Sequence, residues 1–119
     1  RDKSEAAYDQ WLKAGEGAKD SPSAMWLYTP SHMQENGYYC GPATVQVIHD
    51  YFGSPYSQAF YAAQMGTDED GTAFTVVDDC LRYVTGRSYY WREVAWSVDF
   101  FNRVQYAIGS YLYPVAIER

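Results

Sequence analysis

The stretch HMQENGYYCGPATVQVIHDYFG, from His32 to Gly53, decides the fold of this chain. Cys40 stands directly before Gly-Pro and a run of apolar residues at helical spacing, and Gln34 lies six residues upstream of it. Pro42 suits the first turn of a helix, where a backbone N–H is not needed, and a glycine typically ends one. The pattern therefore predicts a buried helix that begins at Cys40. Its predicted inner-face residues are Thr44, Val47, Ile48 and Tyr51.

The composition is that of a folded domain with few basic residues. The chain has 119 residues, of which 47% are hydrophobic and 18% aromatic, and this content is too apolar for a disordered protein. The net charge is −6, and no cluster of lysine and arginine is present that could neutralise a phosphate backbone. Nucleic acid is therefore not an expected partner. No run approaches the roughly 20 apolar residues that a membrane span requires, so no transmembrane segment is expected.

The N-terminal residues have the composition of a helix followed by a linker. SEAAYDQWLKAG, from Ser4 to Gly15, places apolar residues on one helical face, and a segment rich in Gly, Pro, Ser and charge follows it. We therefore expect residues 1–23 to form an N-terminal helix and linker attached to a domain that covers residues 24–119.

The domain itself is predicted to contain further helices and two strands. Ser57 and Thr72 are candidate N-caps, and glycines end both segments that follow them. The helices predicted after Cys40 cover residues 57–66, 72–86 and 97–109. The segments SYYWREVAW, residues 88–96, and YPVAIE, residues 113–118, have the aromatic and β-branched content of strands.

The opening stretch, followed by SQAFYAAQMGTDEDGTAFTVVDDCLRYV, resembles the bacterial papain-like cysteine peptidases typified by bacteriocin-processing (double-glycine leader) peptidases and their stand-alone secreted relatives. The most specific features are the glutamine six residues before cysteine, the Cys-Gly-Pro-Ala run and the Gly-Thr that opens a later helix. The resemblance implies an α+β, papain-like fold. This chain would supply mainly the helical half and the first strand or strands of the antiparallel sheet half. A secreted or cell-surface location in a bacterium is also implied.

The same resemblance implies which residues carry the chemistry. Cys40 is the expected nucleophile, since the positive end of a helix dipole stabilises a thiolate at the N-terminus. The backbone N–H of Cys40 and the side-chain amide of Gln34 are the expected oxyanion donors. Tyr39 and Gly41, which flank Cys40, are expected to contact a peptide or protein substrate. No cofactor and no metal site are expected.

The two histidines of the chain do not fit the role of the imidazole base. His49 follows Cys40 by nine residues on one helix, so it points to the opposite side, about 13 Å along the axis. His32 could approach Cys40 only through a reversal of the backbone. The family takes its histidine from a strand after the segment that matches YPVAI, followed by an Asp or Asn. We therefore expect both residues to come from a missing or separate C-terminal fragment, and the domain over residues 24–119 to be incomplete at its C-terminal end.

Several alternatives stay open on the sequence alone. Cys40 could be a buried thiol or form a disulfide with Cys80 in a structural domain, although Cys80 is expected to be a plain core thiol. The papain-like fold could also serve as a catalytically inactive peptide-binding module or as an acyltransferase with the same nucleophile. The segment TDEDGT, residues 67–72, lacks the spacing of a calcium-binding loop and is expected to be an acidic, solvated turn.

Overall fold

The structure is a computed structural model that describes residues 4–13, 27, 29–93, 98–110 and 113–117. The chain divides into two compact units. One unit is Tyr28–Trp91, and the other consists of the described parts of Arg1–Leu27 and Arg92–Arg119. The expected boundary between residues 23 and 24 lies outside the described residues, so the domain organisation stays a prediction.

Helices make up the regular structure of the described residues. The α-helices are α1 (Ser4–Lys13), α2 (Cys40–Phe52), α3 (Gln58–Met65), α4 (Val77–Thr85) and α5 (Val98–Gln105). A 3₁₀ turn, Phe74–Val76, leads into α4, and a π-helical turn, Tyr106–Ser110, follows α5. Each helix that the sequence predicts is therefore present, although its ends differ by a few residues.

The core of the unit Tyr28–Trp91 lies between α2, α3 and α4. Ser57 caps α3 as predicted, because its Oγ accepts a hydrogen bond from the Phe60 N–H at 3.2 Å. Gly66 ends α3 with a positive φ of 68°, which glycine adopts at little cost. The buried residues of the core are Val45, Ile48, Tyr61, Met65, Val77, Cys80 and Leu81.

The predicted inner face of α2 is partly wrong. Ile48 is buried as expected, but Val45 and His49 are buried as well, whereas Thr44 is exposed. The Thr44 hydroxyl donates a hydrogen bond to the Cys40 carbonyl at 2.7 Å, so this residue tightens the first turn instead of packing inward. Because α2 packs against both α3 and α4, its buried face is wider than the sequence periodicity indicates.

Thr72 does not cap the following helix, which is a second correction. The residue before the 3₁₀ turn is Ala73, and no side chain caps that turn. The Thr72 hydroxyl is instead 2.7 Å from the Thr67 hydroxyl. Between the two threonines, Asp68 and Gly71 exchange backbone hydrogen bonds of 2.9 and 3.2 Å. The acidic stretch is therefore a tight turn whose two ends are joined by the threonine pair.

The strand predicted over residues 88–96 is wrong for residues 88–93, which are irregular. Side chains of α4 bond to the backbone that a neighbouring strand would otherwise pair with. Asp78 accepts a hydrogen bond from the Trp91 N–H at 3.0 Å, and Arg82 donates one to the Tyr89 carbonyl at 2.6 Å. Residues 94–96 lie outside the described residues.

The second predicted strand is also not formed where the structure describes it. Residues 113–117 are irregular, and the Tyr113 N–H donates to the Ala107 carbonyl at 3.0 Å. Residue 118 lies outside the described residues. No β-strand therefore occurs in the part of the chain that the structure describes, and the papain-like fold with its sheet half stays a prediction.

In the second unit, α1 buries one aromatic face. Tyr8 and Trp11 are buried, and the Tyr106 ring lies 5.4 Å from the first and 5.0 Å from the second. In the same unit, Glu5 accepts a hydrogen bond of 2.6 Å from Arg103. The hydrogen bond from Arg103 is the largest cause that lowers the pKa of Glu5 to about 2.

Candidate functional site

Cys40 is the first residue of α2, and its thiol is free and exposed. Cys80 is also free, so the structure contains no disulfide between the two cysteines. Burial raises the pKa of Cys80 to about 11, and at 4% exposure its sulfur is out of reach of large reagents. The expectation that Cys80 is a core thiol is confirmed. Cys40 is therefore the accessible thiol of the two.

The start of α2 is packed closely against the turn that Thr67 and Thr72 close. Gly41 is buried, and a Cβ placed on it would lie 2.6 Å from the Thr72 Oγ and 2.8 Å from the Thr72 Cβ. Only glycine allows so close an approach without displacing Thr72. Two separate sequence motifs, Cys-Gly-Pro and Gly-Thr, thus meet in the structure. The expected substrate contact of Gly41 stays a prediction, and its observed role is this close packing.

Gln34 is linked to the residues before Cys40 through Asn36. The Gln34 Nε2 donates to the Asn36 carbonyl at 2.7 Å, and the same carbonyl accepts from the Tyr39 N–H at 3.4 Å. The Asn36 side chain accepts a further hydrogen bond from the Tyr38 N–H at 3.1 Å. The loop that holds Gln34 is therefore hydrogen-bonded to the two residues that precede Cys40.

Two tyrosines directly precede Cys40 in the chain. Tyr39 is partly buried and directly precedes the cysteine, and its ring meets the Tyr38 ring edge to face at 5.5 Å. Tyr39 provides no side-chain cap for α2, whereas its carbonyl accepts the first intrahelical bond from the Ala43 N–H at 2.9 Å. The expected substrate contact of Tyr39 stays a prediction, but the exposed sulfur and a tyrosine surface do lie at adjacent positions.

Both histidines are bonded to residues other than Cys40. The His32 Nε2 is 2.7 Å from a carboxylate oxygen of Asp50, which follows Cys40 by ten residues and so lies about 15 Å along the helix axis. His49 is buried, and its Nδ1 is 2.6 Å from the Tyr61 hydroxyl. Burial lowers the pKa of His49, which favours a neutral ring. Neither histidine is placed to act as the base for Cys40.

Sequence reasoning missed two polar residues that organise this loop, Asn36 and Gln58. Asn36 could have been found, because Asn-Gly at residues 36–37 is a typical turn pair. Gln58 could not, because it looks like an ordinary polar residue in the first turn of a helix. In the structure it is only 1% exposed.

Comparisons with known proteins found no match to this chain. It matches no protein-family model, no curated protein and no solved structure. Among the described residues, no group of three or more His, Cys, Asp or Glu side chains could hold a metal ion. None of the described helices has the length and apolar content needed to cross a membrane. The geometry around Cys40 is therefore the basis for a functional proposal.

Proposed function

We propose that this chain carries the nucleophile and the oxyanion donors of a papain-like cysteine peptidase, which hydrolyses a peptide or related amide bond. The observation that supports this proposal is the exposed thiol of Cys40 at the start of α2, with Gln34 linked to the preceding residues through Asn36. An amide nitrogen carries two hydrogens, and the bond to Asn36 uses one. The other hydrogen of Gln34 is available to an oxyanion.

The proposed reaction runs through an acyl-enzyme. The Cys40 thiolate attacks the carbonyl carbon, a C–S bond forms, and the electron pair of the C=O bond moves onto oxygen. The backbone N–H of Cys40 and the Gln34 amide donate to that oxygen. Collapse of the intermediate breaks the C–N bond, and the leaving amine takes a proton from an imidazolium. The imidazole then deprotonates a water molecule, which hydrolyses the thioester and releases the acid and Cys40.

The imidazole of this reaction, and the Asp or Asn that orients it, would belong to a polypeptide segment outside these 119 residues. The support is that His32 and His49 are bonded to Asp50 and Tyr61. The chain alone is then expected to be acylated by a reagent whose leaving group needs no proton, and to lose the acyl group slowly. Added imidazole should accelerate that loss.

The test compares two reactions of the Cys40 sulfur. 4-Nitrophenyl acetate acylates a thiolate through an oxyanion, whereas iodoacetamide alkylates it at an sp³ carbon without one. Both rates are followed by intact mass, and the modified residue is located by peptide mass. Because both reactions use the thiolate, their ratio is independent of the thiolate fraction and reports oxyanion stabilisation. The substitution Gln34→Ala should lower this ratio by about 10²–10³-fold.

The matched control is Gln64→Ala, which removes an exposed glutamine from α3 and should leave the ratio unchanged. The substitution Cys40→Ala should abolish acylation, and Cys80→Ala should not affect it. Equal ratios for Gln34→Ala and Gln64→Ala would contradict the oxyanion role of Gln34. A Cys40 that is acylated no faster than glutathione would contradict its role as a peptidase nucleophile.

A catalytically inactive peptide-binding module of the same fold is the second candidate. The bonding of both histidines away from Cys40 favours it. This function predicts peptide binding that survives Cys40→Ala, with acylation at the glutathione rate. An acyltransferase would instead show the acyl group of Cys40 passing to an added amine faster than to water, which product masses would reveal.

A further inference from the structure

Gln58 is the most completely buried polar side chain near the candidate site. It is the first residue of α3, next to the capping Ser57, and its side chain is 1% exposed. A buried amide is costly unless its oxygen and both of its N–H groups find partners. The partners of Gln58 therefore indicate what its burial accomplishes.

Gln58 binds the backbone on both sides of Gln34. The Gln58 Oε1 accepts a hydrogen bond from the Glu35 N–H at 2.9 Å, and the Gln58 Nε2 donates one to the Met33 carbonyl at 2.9 Å. The bond with Glu35 spans 23 positions of sequence and the bond with Met33 spans 25, so they attach the loop to a helix that is distant in the chain. Gln34 itself is the one residue between the two attachment points.

The Met33 carbonyl and the Glu35 N–H fix the orientation of the Gln58 amide, and its second N–H also has a partner. The second N–H of Gln58 donates to the Gln46 Oε1 at 2.9 Å, and the Gln46 Nε2 donates to the Tyr56 carbonyl at 2.9 Å. Because a backbone carbonyl only accepts, Gln46 must present its nitrogen to Tyr56 and its oxygen to Gln58. Gln58 must then present its nitrogen to Gln46 and its oxygen to the Glu35 N–H. All of these hydrogen bonds form with only one assignment of nitrogen and oxygen in the two side-chain amides.

Apolar packing does not hold this loop. The Met33 side chain is 89% exposed, and those of Gln34 and Glu35 are exposed as well. Three successive side chains that face solvent contribute little burial, so this backbone is held by polar contacts: the hydrogen bonds from Gln58 and, one residue upstream, the contact of His32 with Asp50.

We infer that Gln58 is a positioning residue, which holds the backbone around Gln34 so that the Gln34 amide stays in place for an oxyanion at Cys40. This inference rests on the proposed function, since it assigns Gln58 a role through Gln34. At 1% exposure, Gln58 itself is not accessible to a substrate. The loop is fixed at one end by Gln58 and at the other by the bonds of Asn36.

Two measurements test the inference. The first is hydrogen exchange of the Glu35 amide in the unmodified chain, which should be at least roughly 10-fold slower than in an unfolded chain, although Glu35 is exposed. The second is the ratio of acylation to alkylation at Cys40 in Gln58→Met. This ratio should fall by roughly 10-fold or more, because displacement of a catalytic donor by about 1 Å costs up to 10²-fold.

The control is Gln46→Met, which removes another bond of the same amide but leaves the bonds to Met33 and Glu35 in place. Its ratio should stay near that of the unmodified chain. The substitution Gln58→Glu keeps an acceptor for Glu35 and should give an intermediate ratio. In the Gln34→Ala background, Gln58→Met should cause no further loss, since the group that it positions is absent.

The outcomes separate the two proposals. A ratio that falls in Gln34→Ala but not in Gln58→Met overturns the positioning role alone. A ratio that falls in neither variant overturns the oxyanion role of Gln34, and with it the proposed function. If Gln58→Met does not fold, the exchange measurement still decides, because a Glu35 amide that exchanges at the unfolded rate overturns the attachment by Gln58.

Discussion

The substitution Gly41→Ala tests whether the start of α2 is held against the turn over residues 67–72. A Cβ at this position would lie 2.6 Å from the Thr72 Oγ and 2.8 Å from its Cβ, well inside van der Waals contact. The Thr72 hydroxyl cannot swing away freely, because it is bonded to Thr67 at 2.7 Å. The added methyl group must therefore displace either the helix or the turn.

The expected cost follows from two opposing terms. Overpacking a close contact costs about 1–3 kcal/mol. Alanine gains up to about 1 kcal/mol over glycine in a helix interior, and less in the first turn where Gly41 lies. The cost of the clash exceeds the helix-propensity gain of alanine, so we expect Gly41→Ala to lower the free energy of unfolding by about 1–2 kcal/mol.

Urea unfolding measures this cost, as a lower midpoint at an unchanged slope. The control is Gly37→Ala, because a Cβ on Gly37 meets nothing within 4 Å, and its effect should stay within about 0.5 kcal/mol. In a Thr72→Gly background, which removes all three close atoms, Gly41→Ala should cost little or become favourable. The same cost in both backgrounds, or no cost in either, would refute the proposed packing.

Two further predictions concern the hydrogen bonds of each unit. The pKa of Glu5 lies near 2 in the folded chain, mainly because Arg103 donates to it, so its contribution to stability is complete above pH 4.5 and is lost as the pH falls towards 2. In Glu5→Gln, the free energy of unfolding should therefore fall less between pH 4.5 and pH 2, by no more than about 1 kcal/mol, because the carboxylate is half exposed. An unchanged pH dependence of the free energy of unfolding would contradict this. Tyr61→Phe removes the hydroxyl that contacts His49 and accepts from the Tyr56 N–H, and should lower the free energy of unfolding by about 1–3 kcal/mol in urea; an unchanged midpoint would contradict this.

The helices were predictable because local rules determine them. The cap at Ser57 and the terminator at Gly66 act within a few residues of sequence, and both occur as predicted. Cys40 begins α2 because Pro42 suits a first turn and no preceding residue continues the helix. Such features require no knowledge of what the helix packs against.

The failures depend on particular side-chain contacts that no local propensity rule predicts. Residues 88–93 have strand composition, but Asp78 and Arg82 bond to their backbone, and no local pattern indicates that competition. Thr72 has the identity of a helix cap, yet the Thr67 hydroxyl lies within reach and bonds to it instead. The burial of Gln58 depends on a loop more than 20 positions away.

The two parts of the candidate site are held by one continuous segment. Its first residue, Gln58, attaches the loop around Gln34, and its last, Thr72, packs against Gly41 beside Cys40, the proposed nucleophile. The relative position of donor and sulfur therefore depends on the length and rigidity of α3 and the turn that follows it. Gln58→Met should move the donor, whereas Gly41→Ala should move the sulfur, and both should lower the acylation ratio. Because both substitutions change the same donor–sulfur geometry through one segment, their losses should not add when the substitutions are combined.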